Sequence, residues 1–210
     1  FIAILFYRAH WMSGNLDFID ALIESLENKG ANVLPIFSYS LKHTPDSSTD
    51  PERVLSKYLL DNDRPRVNAV INTMGLSMVD ISEENRNESN EWVNNFLNKL
   101  NVPIIQAIIS TGTKDQWLES DLGLNPIDTA MNVALPEFDG RIISVPISFK
   151  EVTDVPQQLG LNHVNAKVQK YVPDIDRINY VSGLTVRWGN LNRKKNKDRK
   201  VVIIMSNYPT

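Results

Sequence analysis

Apolar residues in this chain fall into short unbroken runs, separated by stretches in which they recur every three or four positions. Phe1 to Tyr7 (FIAILFY) is the first run, Leu16 to Gly30 (LDFIDALIESLENKG) has helical spacing, and Ala31 to Lys42 (ANVLPIFSYSLK) is the second run. Runs of this kind suit strands covered on both faces, so the segment reads as a βαβ unit. The polar residues Arg8, His10, Ser13 and Asn15 lie between the end of the first strand and the start of the helix. In an open parallel sheet, ligands bind in the crevice beyond the carboxyl ends of the strands, which makes this turn the first place to look for a site.

The alternation continues along the chain. Asp50 and Pro51 are suited to cap and open a helix whose Val54, Leu55, Tyr58 and Leu59 share one side. Val67 to Thr73 (VNAVINT) is a third strand. Ser77 to Asn90 is acidic, Asn-rich and aperiodic, and reads as a surface loop leading into a helix with Trp92, Val93, Phe96, Leu97 and Leu100. Val102 to Ile109 (VPIIQAII) is a fourth strand. These βα repeats predict a doubly wound α/β fold of flavodoxin or Rossmann type, with a mainly parallel sheet and helices on both faces.

Residues 110–140 break the rhythm with a Ser-Thr-Gly turn, a short helix around Trp117, a break at Gly123 and a helix over Pro126 to Leu135 capped by Asn125. Arg141 to Pro146 is a further strand. A polar connection containing Gln157, Gln158 and His163 leads to a long helix over Asp174 to Leu191, and the basic run RKKNKDRK that follows suits a solvated helix carboxyl end. Lys200 to Met205 is expected to begin another strand. The expected organisation is an α/β lobe over 1–150, a helical connection over 151–199, and over 200–210 the first strand of a following α/β unit.

Composition narrows the function classes. A net charge of -3 and a pI near 5.6 give no general attraction to nucleic acid or anionic lipid. With no cysteine, disulfides, thiolate nucleophiles and Cys-based metal centres are excluded. Phe1 to Tyr7 is too short for a membrane span and lacks the flanks of a signal peptide, so a cytoplasmic protein is expected. The chain starts within a strand without an initiator Met and stops just after the run VVIIM, and is expected to be a piece of a longer chain.

Catalytic motifs that stand alone are absent: no GxGxxG after the first strand, no P-loop, no HExxH, no GxSxG and no calcium loop. Ser110-Thr111-Gly112-Thr113-Lys114 lacks the first glycine and the length of a P-loop, so ATP is not expected to bind here. His10, His43 and His163 have no metal-ligand spacing. His10 stands out because the topology puts it in the ligand crevice with Arg8, a pairing suited to an anion or a metal ion in transit. Glu137, between Pro136 and Gly140, is either a proton acceptor in a rigid turn or an acceptor for that turn's own N–H groups. Asp17 and Asp20 are expected to face solvent or the helix amino end.

Several segments carry a resemblance: Leu5-Phe6-Tyr7-Arg8-Ala9-His10 with Ser13-Gly14-Asn15, Gly30 to Pro35, Ser40-Leu41-Lys42, Trp117, Gly123-Leu124, Ala130 to Ile142, Ser148-Phe149-Lys150 and Asn207-Tyr208-Pro209. Together, in this order, they resemble the CobN/magnesium chelatase H-subunit family along the whole chain. The YRAH segment with Gly14-Asn15, and MNVALPEFDGRI, are more similar to the cobalt branch, the large subunits of aerobic cobaltochelatases. The resemblance implies a ligase that inserts Co2+ into hydrogenobyrinic acid a,c-diamide on the route to cobalamin, with Mg2+ into protoporphyrin IX as the alternative. It also implies that ATP is hydrolysed by AAA+ partners, alongside an integrin-I-domain-type subunit, and that this segment is an internal piece of the tetrapyrrole-binding subunit, inactive alone. Metal insertion requires a ligand for the ion, an acceptor for two pyrrole protons and cations for the acidic side chains of the macrocycle. On that basis His10 is the expected transient metal ligand or proton acceptor, Glu137 the second acceptor and Arg8 the anion partner. Asn15 would orient one of these or cap the helix. A structural or docking lobe without catalytic residues of its own is the competing expectation.

Overall fold

The computed structural model describes residues 1–43, 48–79, 86–154 and 167–205, the side chains of 86–89 excepted. Five strands run parallel: β1 (Ile2–Tyr7), β2 (Val33–Ser38), β5 (Ala69–Asn72), β6 (Ile104–Ser110) and β7 (Ile142–Asp154). A sixth, β8 (Lys167–Pro173), pairs antiparallel with β7, giving the order β2-β1-β5-β6-β7-β8. Counting only the parallel strands, this is the flavodoxin-type order 2-1-3-4-5, with its switch point between β1 and β5. A two-residue-strand hairpin, β3 (Leu60–Asp61) with β4 (Arg64–Pro65), sits outside the sheet. Its turn residues Asn62 and Asp63 take positive φ, as a primed hairpin turn requires.

The inner runs β1, β5 and β6 are buried on both faces, as their lack of alternation predicts, whereas β2, expected to be covered likewise, lies at the sheet edge and leaves Pro35 and Phe37 exposed. Ala3 and Leu5 of β1 join Val70 and Ile104 under helices α3 (Pro51–Leu59) and α4 (Arg86–Leu100). Ile2, Ile4 and Phe6 face the other way, with Ile71 and Ile105, under α2 (Asp17–Glu27) and α8 (Ile175–Arg193). Phe18, Leu22 and Leu26 of α2 are fully buried at the helical spacing read from the sequence. On α8 the close face is made by small residues: a Cβ on Gly189 would meet the Cβ of Asn68 at 3.4 Å, so the helix lies directly on the start of β5.

Four expectations need correction. The polar turn after β1 is a helix, α1 (Arg8–Ser13), closed by Gly14 in the left-handed conformation. α4 begins at Arg86, inside the stretch expected to be a loop, while 80–85 lie outside the described residues. β7 continues past Pro146 to Asp154 and β8 follows; Pro146 to Phe149 of β7 are buried, whereas its stretch beyond Phe149 and the whole of β8 are only partly covered, as suits an antiparallel hairpin at the sheet edge. Gln157, Gln158 and His163 lie outside the described residues. The expected strand at 201–205 forms no ladder with the described residues, and Val201 to Met205 are exposed.

The crossover from β6 to β7 departs from regular helix. It begins with α5 (Lys114–Glu119), then α6 (Pro126–Thr129) capped by the Asn125 side chain, passes through a π turn at Ala130–Ala134, and ends in α7 (Leu135–Glu137). This segment returns the chain from the carboxyl edge of β6 to the amino edge of β7, as a parallel connection must.

Candidate functional site

The crevice expected at the switch point is closed by the chain itself. Residues 73–79 fold back over the ends of β1 and β5, where Thr73 Oγ1 donates to Leu5 O at 2.8 Å and Tyr7 Oη to Gly75 O at 3.1 Å. Gly75 is pressed against the π turn, with Asn132 Oδ1 3.0 Å from where a Cβ would stand. Beneath this loop lies a buried polar layer. Arg141 donates to Met74 O, to Gln106 Oε1 and to Asp139, while Asn72 Nδ2 donates to Gln106 Oε1 at 2.7 Å. Asp139 in turn accepts from Ser77 Oγ and from the Met78 and Val79 N–H groups. Burial pulls the Arg141 guanidinium below its ordinary value, with Asp139 opposing the shift; burial likewise pushes Tyr7 up, with Arg141 opposing.

The residues singled out in the sequence do not converge. Arg8 and His10 stand two residues apart on α1, about 200° around a helix, and so point to opposite sides. His10 is wedged edge-on between Phe18 and Tyr171, with ring centroids at 5.1 and 5.3 Å. Among the described residues its imidazole has no hydrogen bond, and burial lowers its pKa, favouring the neutral ring. The Asn15 side chain neither caps α2 nor reaches the His10 ring, although its N–H donates to His10 O: its Oδ1 accepts from Tyr171 N at 3.0 Å and ties the α1–α2 turn to β8. Glu137 is exposed on α7, where the crossover has reached the amino edge of the sheet. His10 follows the carboxyl end of β1 and Glu137 precedes the amino end of the parallel strand β7, so the two lie toward opposite ends of the strands. Asp17 and Asp20 are exposed in the first turn of α2, as expected.

What remains open is the β2 edge. Arg8 shares a cleft of about 470 Å³ with Phe37, Tyr39, Leu34, Val54 and Tyr58. Apolar residues dominate its wall, and several large rings stay exposed: Tyr39 by 69%, Trp11 by 58% and Phe37 by 42%. Trp11 stacks on Phe37 with centroids 6.0 Å apart and planes at 24°. Arg8 is exposed and has no ion pair or hydrogen-bond partner among the described residues. The arrangement suits a flat, unsaturated ligand bearing carboxylates: rings to stack on and an unpaired guanidinium to receive the acid. No helix among the described residues is long and apolar enough to cross a membrane.

Sequence reasoning found Arg8 but not the rings around it. Phe37 and Tyr39 sit in a run that looks like any buried strand, and only the edge position of β2 leaves them uncovered. It also weighed Glu137 and passed over Asp139, two residues on, which carries the buried charge. The helix-breaking Gly140 at φ +68°, between Asp139 and Arg141, was the available signal.

Comparison with known proteins gives consistent matches. Residues 1–210 match the family described as CobN/Magnesium Chelatase. The chain is 39% identical over 208 residues to an uncharacterized protein of Methanocaldococcus jannaschii, covering 99% of this chain and 16% of that one. It is 34% identical over 209 residues to the aerobic cobaltochelatase subunit CobN of Pseudomonas aeruginosa, covering 100% of this chain and 15% of that protein. The fold matches the catalytic subunit of cobaltochelatase from Mycobacterium tuberculosis with a TM-score of 0.68 and 33% identity, covering 90% of this chain and 14% of that one. The chain thus spans only a small part of the length of the proteins it matches.

Proposed function

The chain belongs to the CobN/magnesium chelatase family, and on that premise we propose that it forms a tetrapyrrole-facing lobe in the large subunit of a cytoplasmic, ATP-dependent metal chelatase. The observation that carries this reading is the β2-edge cleft, where the unpaired Arg8 stands beside the exposed rings of Phe37 and Tyr39. A corrinoid precursor or porphyrin is broad, flat and edged with carboxylates, so it asks for the stacking surface and the cation that this edge offers. The metal is Co2+ and the macrocycle hydrogenobyrinic acid a,c-diamide, with Mg2+ and protoporphyrin IX as the alternative. The reading is supported by the similarity to the P. aeruginosa subunit. ATP is hydrolysed by AAA+ partners acting with an integrin-I-domain-type subunit, in keeping with the missing P-loop.

In this reading Arg8 receives a carboxylate of the macrocycle, and neutral His10 at the base of α1 is a proton acceptor for the pyrrole N–H groups once α1 shifts. Asn15 positions α1. Glu137, at the other sheet edge, is a proton acceptor only for a group approaching from there. The competing reading, a docking lobe with no chemistry of its own, is favoured by one specific observation: His10 and Asn15 are both engaged by β8.

The test is tetrapyrrole binding to the full-length protein, followed by quenching of tryptophan fluorescence. Arg8→Ala should weaken binding about tenfold, the worth of one hydrogen bond to a charged group. Trp11→Ala should weaken it several-fold through lost stacking. Unchanged affinity in both variants would leave the docking reading standing.

A further inference from the structure

The rim of the same cleft leads into a cluster of ligating side chains that no sequence motif announced. Ser48 and Thr49 border the cleft, and Asp50 follows at the amino end of α3. His43 Nδ1 lies 3.0 Å from Asp50 Oδ1, and Glu52 supplies a third ligand atom, the three lying within 4.8 Å of one another. Asp50 holds the N-cap position, yet its side chain makes no capping hydrogen bond to the helix. It is buried, at 8% exposure, and faces the imidazole. The ring is held from another side by Trp92, at a centroid distance of 5.8 Å.

A plain His–Asp pair would need only one carboxylate. The second, Glu52, brings like charge to within reach of Asp50, and a cation between them would relieve that repulsion. Ligand atoms around a first-row ion stand roughly 3 to 3.5 Å apart, given metal–ligand bonds of about 2.1 Å. Glu52 is exposed at the start of its helix and can swing the remaining distance. We propose that His43, Asp50 and Glu52 bind a divalent transition-metal ion, with water completing its coordination. One imidazole with two carboxylates ranks Co2+, Ni2+ and Zn2+ well above the hard ions Mg2+ and Ca2+, which prefer all-oxygen sites. The ligands themselves do not line that cleft: Glu52 and Trp92 line a neighbouring cavity, and ion binding there does not rest on the reading of the cleft given above.

The experiment is titration of the full-length protein with Co2+ alone, without tetrapyrrole, read by visible d–d absorption and by equilibrium dialysis. The wild type should bind about one ion per chain more than His43→Ala or Glu52→Gln, whose affinity at this site should fall by at least about tenfold. Asp20→Asn, at an exposed position of α2, should bind like the wild type. Equal stoichiometry in wild type, His43→Ala and Glu52→Gln would overturn the inference, as would a loss seen only in Asp20→Asn. Displacement of Co2+ by an equal concentration of Mg2+ would overturn the metal class. Glu52 is exposed, so Glu52→Gln carries the test if His43→Ala fails to fold. If the wild type binds no Co2+ at this site while its quenching by tetrapyrrole remains dependent on Arg8, this inference fails and the proposed function stands; the reverse pattern separates them the other way.

Discussion

The β6–β7 crossover and the β2 edge treat their polar and aromatic residues in opposite ways. In the crossover region Asp128 is buried and accepts from Ser110 Oγ, Thr111 N, Thr111 Oγ1 and Asn125 Nδ2. Asp139 is committed just as fully to Arg141 and the 77–79 loop. At the β2 edge a guanidinium and three large rings stand in solvent without polar partners among the described residues. The lesson is that charge and rigidity alone do not mark a site here. The crossover's acids are occupied in holding an irregular backbone together, while the edge keeps its binding groups uncommitted.

The largest expected effect tests the first half of that contrast. Asp139→Ala strands a fully buried guanidinium and unties three loop donors, and should destabilise the domain by about 3–5 kcal/mol in denaturant unfolding. Asp128→Ala removes one acceptor shared by four donors, all neutral, and should cost about 2–3 kcal/mol by the same measurement. Arg8→Ala, by contrast, should leave the unfolding midpoint in place while weakening tetrapyrrole binding. If it destabilised the fold as much as Asp139→Ala, the two regions would not differ in kind.

The smallest effect concerns His10. Burial holds its pKa below about 6.5, so at mildly acid pH the unfolded chain takes up a proton that the folded chain does not. Its contribution to stability is complete above that value and is lost as pH falls through the folded pKa. His10→Phe keeps the ring contacts with Phe18 and Tyr171 and removes the proton. The decline in stability between pH 7 and 5 should be shallower in that variant, and an unchanged slope would place the titration elsewhere.

Much of the fold was legible because burial on both faces leaves a signature that needs no partner to interpret. FIAILFY, VNAVINT and VPIIQAII could hardly be anything but inner strands, and the Asp50-Pro51 and Asn125-Pro126 pairs mark the helix starts found in the structure. The edge hairpin β7–β8 was not legible, since alternating residues such as KVQKYVP fit a loop, a surface helix or an edge strand equally well until a neighbour is known. The site was legible only in part. Arg8 follows from its place after β1. Its separation from His10 depended on whether the segment was a turn or a helix, and only Gly14 hinted at the helix end.

The sequence alone determined the parallel α/β core, because each apolar run carries enough surface to demand cover on both sides. It also determined kinship, through residues ordered along the whole chain. Only the tertiary structure decided which polar groups remain free. Asp128, Asp139 and Arg141 are fixed by hydrogen-bond partners and charges brought from 2 to 67 residues away. His43 meets Asp50 and Glu52 only once the chain has turned into α3. Hydrogen-bond satisfaction is a property of three-dimensional neighbours, and a residue's spacing along the chain does not reveal which of its neighbours will arrive.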